Sequence, residues 1–176
     1  MKMWQKCLVM VPALVLASGA SASSHGDKGR KLRADLKGLR EVPSVSTVAQ
    51  GSFRALINED EDAIEFRLNY SGLEAPVTQS HIHFGQTSVN GGIAIWLCGN
   101  PPLTPPAGTA LCPNPGDGAE VTGTLTPANV VGPTGQGIAA GEFAEVIRAI
   151  RKGSAYANVH STKFPGGEIR GQIHVD

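Results

Sequence analysis

Ala63-Ile64-Glu65-Phe66-Arg67-Leu68-Asn69-Tyr70 alternates apolar and polar residues. Successive side chains of a strand point to opposite sides, so Ile64, Phe66, Leu68 and Tyr70 share one face. Glu65, Arg67 and Asn69 share the other. Just upstream, Gly51-Ser52-Phe53-Arg54-Ala55-Leu56-Ile57 runs into the acidic segment Asn58-Glu59-Asp60-Glu61-Asp62. Two strand-like runs joined by a short polar segment predict a β-hairpin. The acidic tip lacks the glycine and ligand spacing of an EF-hand loop and reads as a solvated turn.

Outward from this hairpin the same pattern recurs. Strands are expected at Val77–Phe84, Ile93–Cys98, Glu120–Leu125, Ala155–Ser161 and Glu168–Val175. Turn signals such as Asn90-Gly91-Gly92 and Pro165-Gly166-Gly167 separate them. One helix interrupts the series: Phe143, Val146, Ile147 and Ile150 recur at i, i+3, i+4 and i+7 between Gly141 and Lys152, with Gly153 as its stop. With 22 glycines, 12 prolines and few aromatics, the chain suits short strands and many turns better than a helical bundle. The expected architecture is all-β, an antiparallel β-sandwich or related barrel with one short helix.

The N-terminus predicts where the protein goes. Lys2 and Lys6 precede an apolar run from Cys7 to Ala17, and small residues follow up to Ala20-Ser21-Ala22. This is the pattern of a cleaved signal peptide, too short to span a bilayer comfortably. The reading is therefore a signal peptide at 1–22, a flexible leader at 23–35 and a single domain at 36–176. The protein is expected to be secreted or periplasmic, with no membrane span after cleavage.

Without Lys2 and Lys6 the chain carries 13 basic and 15 acidic residues, a net charge of −2. It has no basic run, so nucleic acid is excluded as a partner on electrostatic grounds. Cys98 and Cys112 are then the remaining cysteines, and an oxidising compartment favours a disulfide between them. It would close a loop of about 15 residues and contribute about 3 kcal/mol in the chain-entropy model. A thiolate ligand or a redox pair is the other use of two such cysteines.

Candidate chemistry lies in two stretches. Ser80-His81-Ile82-His83-Phe84-Gly85 places two imidazoles at i and i+2, on one face of a strand. Ala157-Asn158-Val159-His160-Ser161 supplies a third in another strand. If the strands are neighbours, His81, His83 and His160 form a donor set suited to copper or zinc. Glu168, Asn158 and Arg170 are the candidate surrounding residues. Glu168 reads as a ligand or as an acceptor that holds an imidazole tautomer, Arg170 as half of an ion pair, and Asn158 equally as a backbone cap. The plain alternative is that these are the solvated faces of surface strands. His174 reads as exposed and His25 as part of the leader. No nucleophile elbow, H-E-x-x-H helix or dinucleotide-binding glycine motif is present, so no catalytic residue is assigned.

These stretches also carry a resemblance. Glu41-Val42-Pro43, His81-Ile82-His83-Phe84-Gly85, Tyr156-Ala157-Asn158-Val159-His160-Ser161 and Phe164-Pro165-Gly166-Gly167-Glu168-Ile169-Arg170-Gly171-Gln172-Ile173 together resemble the CHRD domain, named for chordin. The similarity runs from about Leu36 to Val175. It implies an extracytoplasmic β-rich domain and little chemistry. In chordin-like animal proteins such domains accompany modules that bind secreted growth factors, and in microbes they often stand alone after a signal peptide. This chain lacks the cysteine-rich modules that handle growth factors, so that ligand is not carried over.

A weaker similarity is to copper–zinc superoxide dismutases, which are secreted β-sandwiches with an H-x-H strand and a disulfide. There His81 and His83 would take that strand's part, with His160 as another ligand. A bridging histidine in a zinc loop and a glycine-rich segment around an active-site arginine are both missing. The resemblances narrow the expected fold to an immunoglobulin-like or superoxide-dismutase-like sandwich. They favour a binding module for an extracytoplasmic protein or small ligand, with copper or zinc held by the histidines. A metal-dependent redox enzyme and a purely structural or protein-interaction module are the rivals.

Overall fold

The computed structural model describes residues 29–114 and 118–176. The expected signal peptide, and the leader up to residue 28, lie outside the described residues.

The first strand, β1 (Lys31–Lys37), corrects one expectation. The sequence pattern extends the leader to residue 35, yet Leu32, Ala34 and Leu36 are buried while Lys31, Arg33, Asp35 and Lys37 face out. The period of two is present in the sequence, but the density of charge around it disguises a half-buried strand as a solvated tail.

The hairpin forms as its alternation dictates. β2 (Gln50–Ile57) pairs with β3 (Ile64–Ser71), Phe53 opposite Leu68 and Ile57 opposite Ile64. Its acidic tip is exposed, with Glu61 accepting two hydrogen bonds from Arg151 at the end of the helix. Next come β4 (Val77–Phe84), β5 (Gly92–Gly99), β6 (Ala119–Leu125), α1 (Phe143–Arg151) and β7 (Ala155–Ser161). The expected last strand is split into β8 (Ile169–Gln172) and β9 (His174–Val175). The chain changes partner there: β8 pairs with β7, whereas β9 pairs with β1. At Gly171 a Cβ would meet the Asp35 carbonyl at 2.4 Å, so only glycine allows β8 this close to β1.

All pairings are antiparallel, in the order β5-β4-β7-β8-β1-β2-β3-β6. This single sheet rolls until its end strands approach, and Val130, after β6, forms an isolated bridge to Ile95 of β5. The result is a barrel- or sandwich-like fold with one short helix. Inside it lie Leu36, Phe53, Ile64, Leu68, Ile82, Ile95, Val159 and Ile169. The helix closes the core with the residues its periodicity predicts, Phe143, Val146, Ile147 and Ile150. Cys98 and Cys112 are joined by a disulfide that pins the proline-rich loop to the end of β5. The Asn100 side chain reinforces that staple, donating to the carbonyls of Val77 and Cys112 and accepting from the Cys112 N–H.

Candidate metal centre

Strands β4 and β7 are neighbours, so the condition set by the sequence is met. His81 lies opposite Asn158, His83 opposite Tyr156, and Gln79 opposite His160. One face of β4 and β7 therefore carries all three imidazoles. The opposite face carries Ile82, Ala157 and Val159, all fully buried in the core.

The histidine face is not solvated. His81, His83 and His160 are 0%, 8% and 6% exposed, and every residue of β7 is buried. The β4–β5 loop and the β7–β8 turn reach the site with the backbone carbonyls of Gly91 and Pro165, and the segment after β1 contributes the Glu41 side chain. Within it, one potential ligand nitrogen from each imidazole lies within 4.8 Å of the other two. His81 Nδ1 and His160 Nε2 are 3.3 Å apart. Two imidazole nitrogens bound at 2.0–2.1 Å to one ion lie about 3.3–3.6 Å apart at tetrahedral or trigonal angles. This edge of the triangle is already at ligand spacing.

Backbone carbonyls decide which nitrogens are free. His83 Nδ1 lies 2.9 Å from the Gly91 carbonyl, and His160 Nδ1 lies 2.9 Å from the Pro165 carbonyl. A carbonyl only accepts, so both Nδ1 atoms carry the proton and both Nε2 atoms present lone pairs. Among the described residues, neither His83 Nε2 nor His81 Nε2 has a hydrogen-bonding partner. Burial drives the rings neutral. It pushes His81 down to about 2, with neighbouring His160 and His83 adding to the shift. Burial likewise takes His160 down to about 4, against the Pro165 contact, and lowers His83 against the Gly91 contact. Neutral imidazole is the form that binds a metal.

Around the triad stands a second layer. The His81 ring packs edge-on with Trp96 of β5, centroids 4.3 Å apart. Trp96 comes into place through irregularities in the β4–β5 register on either side of His81 and Ile82. His83 stacks on Tyr156 with ring centroids 4.8 Å apart and the two planes nearly parallel. The Arg170 guanidinium lies 4.0 Å from the centre of the Tyr156 ring. Arg170 Nε is 3.0 Å from the Glu41 carboxylate, and both side chains are buried. Arg170 also donates to the Val89 carbonyl and to Asn90 Oδ1 in the β4–β5 loop.

Of the candidate surrounding residues, Asn158 and Arg170 belong to this site. Asn158 Oδ1 stands 3.1 Å from His160 Nε2. With the proton on Nδ1, that contact requires the Asn158 amide to be turned so that its NH2 donates to the ring. The Glu168 carboxylate is engaged elsewhere, accepting hydrogen bonds from Thr47 Oγ1, Ser161 Oγ and the Glu74 N–H. His174 is exposed, and His25 lies outside the described residues. Glu41, Trp96 and Tyr156 had no assigned role. Alternation places Tyr156 on the histidine face, but nothing local marks Trp96, because the register irregularity that aims it is invisible in an apolar run.

The whole of this arrangement lies in a stretch, residues 32–173, that matches the CHRD domain. The chain belongs to the CHRD domain family. The match covers both histidine strands, Glu41 and Arg170, and it begins with β1, in keeping with that strand being part of the domain. No curated protein and no solved structure matches the chain. No helix among the described residues of this CHRD domain is long and apolar enough to cross a membrane.

Proposed function

We propose that this CHRD domain is an extracytoplasmic binding module that holds one transition-metal ion, copper or zinc, on His81, His83 and His160. The observation that carries the reading is the tautomer pattern. Two buried imidazoles are clamped through Nδ1–H to backbone carbonyls, leaving Nε2 lone pairs beside a third ring. Metal-ligating histidines are oriented in this way. A buried acceptor with no partner costs about 1–3 kcal/mol, and a bound cation would relieve that cost. The disulfide supports an oxidising location. The rolled sheet with a histidine pair on one strand supports the finer immunoglobulin-like or superoxide-dismutase-like reading of the fold.

Elemental mass spectrometry on protein purified from its native compartment tests the reading. The expected result is near one copper or zinc per chain, lost in the His81→Ala/His83→Ala/His160→Ala variant. Metal uptake undiminished in that variant removes the site. No metal, and none taken up from excess copper or zinc, leaves a structural or protein-interaction module. Turnover of superoxide by the copper-loaded protein would instead make it a redox enzyme.

A further inference from the structure

Resting on that reading, we infer that the triad is built for monovalent copper in preference to divalent zinc. Three features of the site converge on this.

The donor set is uncharged. Three neutral imidazoles face one another, and the nearby carboxylates are committed elsewhere, Glu41 to Arg170 and Glu168 to Thr47, Ser161 and Glu74. Nothing in the triad neutralises the ion. In a site this enclosed the Born cost of burying an ion rises with the square of its charge, roughly fourfold from +1 to +2.

A fixed positive charge stands behind the triad. Arg170 lies against Tyr156, on which His83 stacks. Its repulsion acts on any cation at the triad and is twice as strong for a divalent ion. Glu41 offsets part of it, equally for both ions in proportion to charge.

The ligand number is three. Structural zinc takes four protein ligands in a tetrahedron, and zinc on three histidines adds a water as its fourth. The described residues that cluster in this buried site are His81, His83 and His160. Monovalent copper shares the filled d shell of zinc but carries half its charge, and it is satisfied by three imidazoles without a fourth ligand.

The test is a pair of competition titrations on the full chain with its disulfide intact. Copper(I) is supplied without oxygen as its acetonitrile complex and competed with bicinchoninate; zinc is competed with 4-(2-pyridylazo)resorcinol. One copper(I) per chain is expected, bound at least about 100-fold more tightly than zinc. X-ray absorption at the copper edge should show nitrogen donors at a coordination number of three. A second variant tests the charge argument directly. Asn158→Asp places a carboxylate beside His160 with little change of shape, and should narrow the copper-to-zinc ratio by about tenfold or more.

Zinc bound as tightly as copper(I), or more tightly, overturns the inference and leaves the metal-binding function standing. A ratio unmoved by Asn158→Asp overturns the electrostatic basis for it. Failure of both metals to bind removes the proposed function itself.

Discussion

The carbonyl of Gly91 lies 2.9 Å from Nδ1 of His83, and this contact decides which end of the imidazole faces the triad. The same residue donates its N–H to the Tyr156 hydroxyl at 3.2 Å. Gly91 thus fixes both members of the stacked His83–Tyr156 pair. It sits where a Cβ would lie 1.8 Å from the Phe84 carbonyl oxygen, so no other residue fits without moving the chain. The Asn90-Gly91-Gly92 turn both reverses the chain and orients a candidate ligand.

Gly91→Ala should therefore weaken metal binding although residue 91 contributes no ligand. Changes to groups that orient a metal-binding histidine typically cost 10–100-fold in affinity, and a loss of about that size is expected here. Overpacking should add about 1–3 kcal/mol of destabilisation. Metal titration and urea unfolding of the same variant separate the two effects. Unchanged affinity in a folded Gly91→Ala protein would show that the carbonyl does not position His83.

The buried Glu41–Arg170 pair should behave as one unit. Burial raises the Glu41 carboxyl above its usual range despite the adjacent guanidinium. Removing one partner leaves the other as an uncompensated buried charge, with an expected loss of about 3–5 kcal/mol for Glu41→Gln or Arg170→Met. The double variant should lose less than the sum, by about 1 kcal/mol or more. Arg170→Lys should not rescue, because a lysine cannot stack on Tyr156 while donating to both Val89 and Asn90. Strict additivity in urea unfolding would mean that the pair is not coupled.

Much of this was legible in the residues, and what was not has a definite physical cause. Alternation placed β3, β4 and β7 with little error, because a strand buried on one face writes a period of two into the sequence. It also put His81, His83, Asn158 and His160 on common faces. Burial of that polar face was not legible, since the segments covering it come from distant parts of the chain. Glu41 reaches Arg170 across 129 positions, and period-two reasoning says nothing about such contacts. Glu168 shows the opposite error. Its place in the last strand suggested the histidines, but its hydrogen bonds run to Thr47, Ser161 and Glu74 instead.

Metal-free protein should lose stability as pH falls from 7 to 5. An unfolded histidine titrates near 6.5, whereas folded His160 titrates at about 4 and folded His81 at about 2, with His83 also lowered. Below about 6.5 the unfolded chain takes up protons that the fold refuses. The stabilisation is fully present above that pH and is lost as the pH falls towards the folded values. Each histidine contributes a slope of about 1.4 kcal/mol per pH unit within this window. Glu41, with its raised carboxyl, works in the opposite sense as it gains a proton. Urea unfolding at pH 7 and pH 5 reads the net effect. Equal stability at the two values, without metal, would contradict the buried neutral triad.

Loss of the disulfide should separate the stability of the fold from the metal site. Cys98 and Cys112 close a loop of about 15 residues, so Cys98→Ala/Cys112→Ala should cost about 3 kcal/mol by the chain-entropy argument. The Asn100 side chain would still hold the loop through Val77 and Cys112. The three histidines make their polar contacts with Gly91, Pro165, Asn158 and one another and pack on Trp96 and Tyr156, and none of these lies within the stapled loop. Metal affinity should stay within about threefold of the parent, where His83→Ala should lower it by about 100-fold or more. A drop as large as that of His83→Ala in a folded disulfide-free protein would make the proline-rich loop part of the site.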